Sequence, residues 1–446
     1  MKSTALLLGL TILIASCSDK KQSKEISPNI VLIMADDLGY GGISCYGNKT
    51  IQTPNLDALA TNGVKFTDFH SNGAVCSPTR AALMTGKYQQ RTGVGGVITA
   101  KSHREVGLSL SETTIAEELK KHSYNCGMFG KWHLGYSDRF NPTLQGFNEF
   151  AGFVSGNIDY HAHIDQEGYL DWWQGAEIKN EPGYSTDLIT DYGVKYINNH
   201  NPEKTGKPFF LYLPHEAPHG PYQRRIDRIL REVGKAGTDP VNKDSIPSIY
   251  KEMVEVMDEG IGKIVQTLRE TGQYENTIVV FISDNGANRY GDNGGLRGFK
   301  AGVYEGGSRV PAIISFPGTI AKGTTNHEVV LTMDLLPTLL DFIGKEPSAT
   351  NLDGISIKES LIQNTKLPPR DVFFSYSGRS FIRSGDWKLV HIKRNEEEKI
   401  ELYNLSSDLQ EAKDLSQMHP ERVRELSAKL NLWKVEVNKD VQVVSK

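Results

Sequence analysis

Continuous apolar runs that stop abruptly at polar chemistry limit the folds open to this chain more than any other feature. Residues 28–34 carry Ile30-Val31-Leu32-Ile33-Met34 without a polar break, and Asp36-Asp37 follow after Ala35. A run with no polar alternation fits a strand buried on both faces, as in a parallel sheet covered by helices. Residues 124–129 end the same way in Gly130-Lys131-Trp132-His133, and residues 208–213 in Pro214-His215-Glu216-Ala217-Pro218-His219. Residues 277–282 end in Ser283-Asp284-Asn285. Further strands are read at 64–69 and 310–316, and helical periods at 53–61, 110–122, 186–199, 248–271 and 333–343. Strands alternating with helices give an α/β fold with a largely parallel sheet. Past about residue 352 the pattern changes to strands joined by turns (372–376, 379–383, 387–392, 400–404) and a closing helix at 420–438. That reads as a smaller antiparallel subdomain packed on the first.

Ligands of open α/β sheets bind beyond the carboxyl ends of the strands. The four polar termini therefore fall along one edge of one sheet. Asp36, Asp37, Asp284 and Asn285 would make an oxygen-only site for a hard cation, calcium first and magnesium second. Zinc would more often recruit imidazole or thiolate. Cys76-Ser77-Pro78-Thr79-Arg80 reads as a loop turning into a helix, with Pro78 in the first turn and Cys76 or Ser77 as the N-cap. Arg80, four residues on, shares a helix face with Cys76. A reactive side chain, a helix N-terminus and a guanidinium then converge where a sulfate or phosphate fits.

A net charge of −4 with nearly balanced acids and bases excludes a nucleic-acid binder held by a broad basic face. The N-terminus reads as a targeting segment: Lys2 precedes an apolar run from Ala5 to Ala15, too short to span a bilayer. Ile14-Ala15-Ser16-Cys17 resembles a bacterial lipobox, so residues 1–17 are expected to be a lipoprotein signal peptide and 18–27 a tether. This implies an exported lipoprotein of the periplasm or outer membrane, touching membrane only through its lipid. With Cys17 and Cys76 assigned, Cys45 and Cys126 are left, either as a disulfide or as two free thiols.

The motifs together resemble the type I, formylglycine-dependent sulfatases, in the family's order. The resemblance rests on Asp36-Asp37, Cys76-Ser77-Pro78-Thr79-Arg80, Gly130-Lys131-Trp132-His133-Leu134-Gly135, Ala217-Pro218-His219 and Ser283-Asp284-Asn285-Gly286. Residues 299–311 and Met333-Asp334-Leu335-Leu336-Pro337-Thr338 extend it over nearly the whole mature chain. It implies an alkaline-phosphatase-like sandwich, a catalytic domain at 28–350 and a C-terminal subdomain at 351–446. It also implies hydrolysis of sulfate esters with one Ca2+, and oxidation of Cys76 to formylglycine by a formylglycine-generating maturase. In that scheme one hydroxyl of the hydrated aldehyde attacks sulfur from the cation. Asp36, Asp37, Asp284, Asn285 and the modified Cys76 hold the metal. Arg80, Lys131 and Lys300 offset the charge on the sulfuryl oxygens. His219, with Lys300, protonates the leaving alcohol, and His133 takes the second hydroxyl's proton.

The expected substrate is a sulfated carbohydrate, a galactose or N-acetylgalactosamine unit at a chain end. Asp159 and His161, in a polar loop at 152–165, and His215 are the expected sugar contacts, with Tyr160 and Trp172-Trp173 available for stacking. Residues 215–222 resemble segments of bacterial N-acetylgalactosamine-6-sulfatase-like enzymes. Two rivals are weaker. A phosphoesterase of the same superfamily would place Ser or Thr at the nucleophile and bind two transition metals. A glycan-binding lipoprotein without catalysis would have lost Cys76, Arg80 or Lys131.

Overall fold

The computed structural model describes residues 27–237, 241–349, 351–439 and 441. The leader, Cys17 and the tether up to residue 26 lie outside the described residues.

A ten-stranded sheet runs through the larger part of the chain. Its centre is five strands in the order Thr277–Ser283, Asn29–Ala35, Phe209–Pro214, Asn125–Lys131, Glu149–Phe153, all parallel. Register pairs Ala35 with Ser283 and Met34 with Pro214, so the polar residues that follow these strands emerge side by side. The flanks are mixed: Ala312–Ser315 runs antiparallel to Thr277–Ser283, and Trp173–Gln174 antiparallel to Glu149–Phe153.

Every residue of Asn29–Ala35 is buried. Ile30, Leu32 and Met34 enter one core with the helices Cys76–Thr85, Ile115–Lys121 and Leu335–Phe342. Val31, Ile33 and Ala35 enter the opposite core with Pro54–Thr61, Ser185–Asn199 and Ile246–Glu270. Alternation across the pleat thus feeds both faces, which is why the run needs no polar residues. Thr114 begins Ile115–Lys121 through a capping box with Glu117.

One expected strand is corrected, and one open alternative is decided. The 64–69 strand is broken: Val64–Phe66 joins the main sheet, whereas Phe69–His70 pairs with Val330–Leu331 in a separate one. Between them Asp68 turns to Arg309 at 2.9 Å and Arg383 at 2.7 Å. Cys45 and Cys126 are free thiols, so the disulfide alternative falls.

Asp371–Tyr376, Arg379–Ser384, Trp387–Arg394 and Glu397–Asn404 form a four-stranded antiparallel meander. Phe373, Ile382, Leu389 and Leu402 pack under the helix Pro420–Val437 through Leu426, Leu430 and Trp433, with Phe373 stacked on Trp433 at 5.0 Å between ring centroids. The other face, with Phe374, Phe381 and Val390, packs on Ala74 and Val303 of the larger part. No helix among the described residues is long and apolar enough to cross a membrane.

Candidate active site

The carboxyl edge of the main sheet gathers side chains from segments hundreds of residues apart. Cys76 opens the buried helix Cys76–Thr85, but the expected cap is corrected: Val75, extended at φ −150°, is the N-cap and Cys76 already lies inside the helix. The nearby hydroxyls do other work. Ser77 Oγ accepts from the Ile98 N–H at 3.1 Å, and Thr79 Oγ1 accepts from the Gly73 N–H at 3.1 Å. The first turn is thereby tied to the loop before it and to the segment around Ile98.

Cys76 Sγ lies 3.6 Å from Asp36 Oδ1 and 3.7 Å from Lys300 Nζ. Burial and the Asp36 charge push the thiol up to about 12, so at neutral pH it is a thiol and not a thiolate. Arg80 donates to the Lys131 carbonyl at 2.9 Å and to Asp284 Oδ2 at 3.0 Å. Lys131 Nζ forms a fully buried ion pair with Asp36. Burial alone would raise the Asp36 carboxyl, but Lys131, His219 and Arg80 outweigh it and hold it well below the usual range. Asp284 goes the other way: burial and Asp36 push it up to about 7 despite Arg80.

Asp37 adopts a left-handed φ of 63°. Its Oδ1 accepts from Lys300 Nζ at 2.7 Å and from Asn285 Nδ2 at 2.7 Å, and His219 Nε2 lies 3.8 Å from its Oδ2. His133, also left-handed at φ 56°, directs Nε2 to the Ile98 carbonyl at 2.8 Å. A carbonyl only accepts, so Nε2 carries the proton and the buried Nδ1, which has no partner, carries the lone pair. Burial, Lys131 and Arg80 hold His133 well below its ordinary value, in the neutral form a base requires.

The same residues pass a test for a cation site. Asn285 Oδ1 is buried with no donor. Asp284 is raised by burial and by the neighbouring Asp36 carboxylate, which a cation between them would relieve. Ligand atoms of Asp36, Asp37, Cys76 and His219 lie within 4.8 Å of one another. Three carboxylates and an amide oxygen suit a hard divalent ion, and residue 76 would join that set with an oxygen in place of sulfur.

Above this cluster opens a cavity of about 440 Å³. Cys76, His133, His219 and Lys300 line it, with walls from 97–102, Tyr136, 155–157 and 165–167. Arg80 and Lys131, expected on the sulfuryl oxygens, are not in its lining: they lie behind Cys76, tied to Asp36 and Asp284.

Of the expected sugar contacts, none of Asp159, His161 and His215 lines this cavity. Asp159 is fully buried, and its carboxylate accepts four backbone N–H groups, of His161, Ala162, Leu230 and Arg231, at 2.6–2.9 Å. It staples two loops together. His161 Nε2 bonds the Arg224 carbonyl at 3.0 Å. His215 is 1 % exposed with Nδ1 unpartnered. Tyr160, Trp172 and Trp173 are also buried, Tyr160 donating to the His219 carbonyl at 2.9 Å, and they offer no stacking surface.

Sequence reasoning missed the 97–102 wall, Tyr136 and Asn288, whose Nδ2 lies 3.4 Å from Asp37 Oδ2. The signal for the wall was the long stretch from Arg91 to Gly107, which has no apolar period inside a compact domain.

Comparisons with known proteins show the family and the fold. The Sulfatase family model matches residues 28–345, and that of the N-sulphoglucosamine sulphohydrolase C-terminal region matches 298–436. Arylsulfatase A of Homo sapiens is 34% identical over 401 residues, covering 81% of this chain and 74% of the relative. N-acetylgalactosamine-6-sulfatase of Mus musculus is 33% identical over 382 residues, covering 80% and 70%. Among solved structures, Ps i-CgsB in complex with k-i-k-neocarrahexaose superposes with a TM-score of 0.82 at 30% identity, covering 94% of each chain.

Proposed function

The chain belongs to the sulfatase family, and we propose that this sulfuric ester hydrolase removes sulfate from sulfated glycans, acting at a chain end on a galactose or N-acetylgalactosamine unit. The observation that carries the proposal is the cavity: its floor is an anion site at Cys76, Lys300 and His219, and its volume of about 440 Å³ leaves room for a sugar above a sulfate. The polar walls, with Ser102, Asn157, Gln166 and Glu167, suit hydroxyl groups. Relatives named N-acetylgalactosamine-6-sulfatase and a neighbour solved with a neocarrahexaose support a carbohydrate.

Asp36, Asp37, Asp284 and Asn285 would hold a calcium ion, which supplies charge to the sulfuryl group, while oxidation of Cys76 to formylglycine by a maturase supplies an oxygen nucleophile. Lys300, at the cavity floor, meets a sulfuryl oxygen. Arg80 and Lys131 offset the carboxylates behind residue 76 and keep Asp36 ionised. His219 faces the cavity with Nδ1–H held on the Gly220 carbonyl at 2.5 Å, so it takes a proton at Nε2, beside Asp37, before passing that proton to the departing sugar oxygen. Neutral His133 accepts a proton at Nδ1, which regenerates the resting site. The apolar run from Ala5 to Ala15, followed by Ser16-Cys17, supports an exported bacterial lipoprotein, so labelled lipid should be found on Cys17.

The test is a panel of sulfated monosaccharides and oligosaccharides beside an aryl sulfate and an aryl phosphate, with products identified. Release from a sulfated galactose or N-acetylgalactosamine is expected. Turnover of aryl sulfates alone would remove the carbohydrate assignment, and faster turnover of the phosphate would remove the sulfatase assignment at this site.

A further inference from the structure

Lys300 is held in place by the second sheet. The next residue, Ala301, has a left-handed φ of 64°. For an alanine that conformation is unfavourable and persists where neighbours impose it. Two hydrogen bonds impose it here. The Ala301 N–H donates to the Ala74 carbonyl at 2.7 Å, and the Ala301 carbonyl accepts from Arg379 Nη1 at 2.9 Å. The Lys300 N–H is fixed on the Ala287 carbonyl at 2.9 Å. Together these turn the Lys300 side chain towards Asp37 and Cys76.

Arg379 comes from the meander. It begins the strand Arg379–Ser384 and pairs with Tyr376 across a hairpin turn. Beneath the hairpin, Phe374 and Phe381 pack on Ala74 and Val303, so this sheet grips the chain on both sides of the site. One grip is two residues before Cys76, and the other flanks Lys300. Arg379 is not in the cavity lining, so any effect on turnover passes through another residue.

We propose that Arg379 is a positioning residue for Lys300, which it holds over residue 76 by fixing Ala301 in its left-handed turn. The proposal rests on the reading that Lys300 meets the sulfuryl group. Without the guanidinium, Ala301 relaxes to a right-handed or extended conformation and the ammonium group leaves its place. Substrate binding along the 97–102 and 165–167 walls is untouched by that movement, so kcat falls more than KM changes.

The experiment is a double-mutant cycle on the matured, metal-loaded enzyme, using the best substrate from the sulfated-sugar panel. Arg379→Ala is expected to lower kcat about tenfold, the worth of one hydrogen bond to a charged group, with KM within about twofold. Arg379→Lys keeps one donor for the single carbonyl and should recover most of the loss. In the Lys300→Ala background, Arg379→Ala should cost less than about twofold more. Thermal unfolding shows that each variant is folded, and Arg379→Met, which keeps most of the stem, replaces the alanine if that fails to fold. A full additional loss in the Lys300→Ala background overturns the positioning role. Undiminished turnover by Lys300→Ala overturns the reading of Lys300 itself.

Discussion

Single residues show how far burial alone decides chemistry here. His215 is held down at about 4 by burial, and His163, stacked on Trp172 with ring centroids 4.4 Å apart, is held at about 4 for the same reason. In the unfolded chain both titrate near the ordinary 6.5. Between those two values the unfolded state binds more protons. Stability therefore falls as pH drops from about 6.5 to 4, by roughly 3 kcal/mol per histidine, and is insensitive to them above that window. Denaturant midpoints measured across this range should show the loss, and His163→Phe, which keeps a ring against Trp172, should make it shallower. An unchanged slope would count against the assignment. Asp36-Asp37 and Asp284-Asn285 were legible in the sequence because each follows a continuous apolar strand. The bonds that Asp159 makes were not legible, because they reach Leu230 and Arg231, in a loop 71 and 72 residues away that no local pattern reveals.

Among elements, the seam between the two sheets carries a buried ionic network. Lys388, from the strand Trp387–Arg394, lies 2.8 Å from Glu305 and 2.8 Å from Glu411, with all three side chains buried. Arg309 and Arg383 serve Asp68, and Arg309 also pairs with Glu305 at 2.7 Å. Asp68, His70 and Glu305 converge closely enough to suggest a metal, yet Arg309, Arg383 and Lys388 already balance Asp68, Glu305 and Glu411. Lys388→Met would leave two buried carboxylates without their cation. It should destabilise the protein by about 3–5 kcal/mol, read as a lowered unfolding midpoint. A change below about 1 kcal/mol, no more than an exposed pair gives, would show that the network is dispensable. The central strands were readable because both their faces are covered and no polar residue interrupts them. Trp173–Gln174 was not, since two residues show no period. The break at Asp68 was hidden for a different reason, because its cause is Arg383, 315 residues away.

At the scale of the whole molecule, one edge of one sheet brings together three carboxylates and three cations, Asp36, Asp37 and Asp284 against Arg80, Lys131 and Lys300. A divalent ion would make that edge net positive, which a sulfate ester anion requires. Exhaustive chelation should abolish turnover and lower the melting temperature, and added calcium should restore both. Full activity in demonstrably metal-free protein would contradict the site. The edge itself was foreseeable from where the apolar runs stop. The part of the second sheet in it was not, because Arg379 reaches Ala301 across 78 residues of chain. The most direct test of sulfate-ester hydrolysis through residue 76 is peptide mass spectrometry of that residue in protein made with a maturase, read beside turnover. The expected result is a fraction of aldehyde at residue 76 that tracks the rate from one preparation to the next. Full turnover with an intact Cys76 thiol would contradict it.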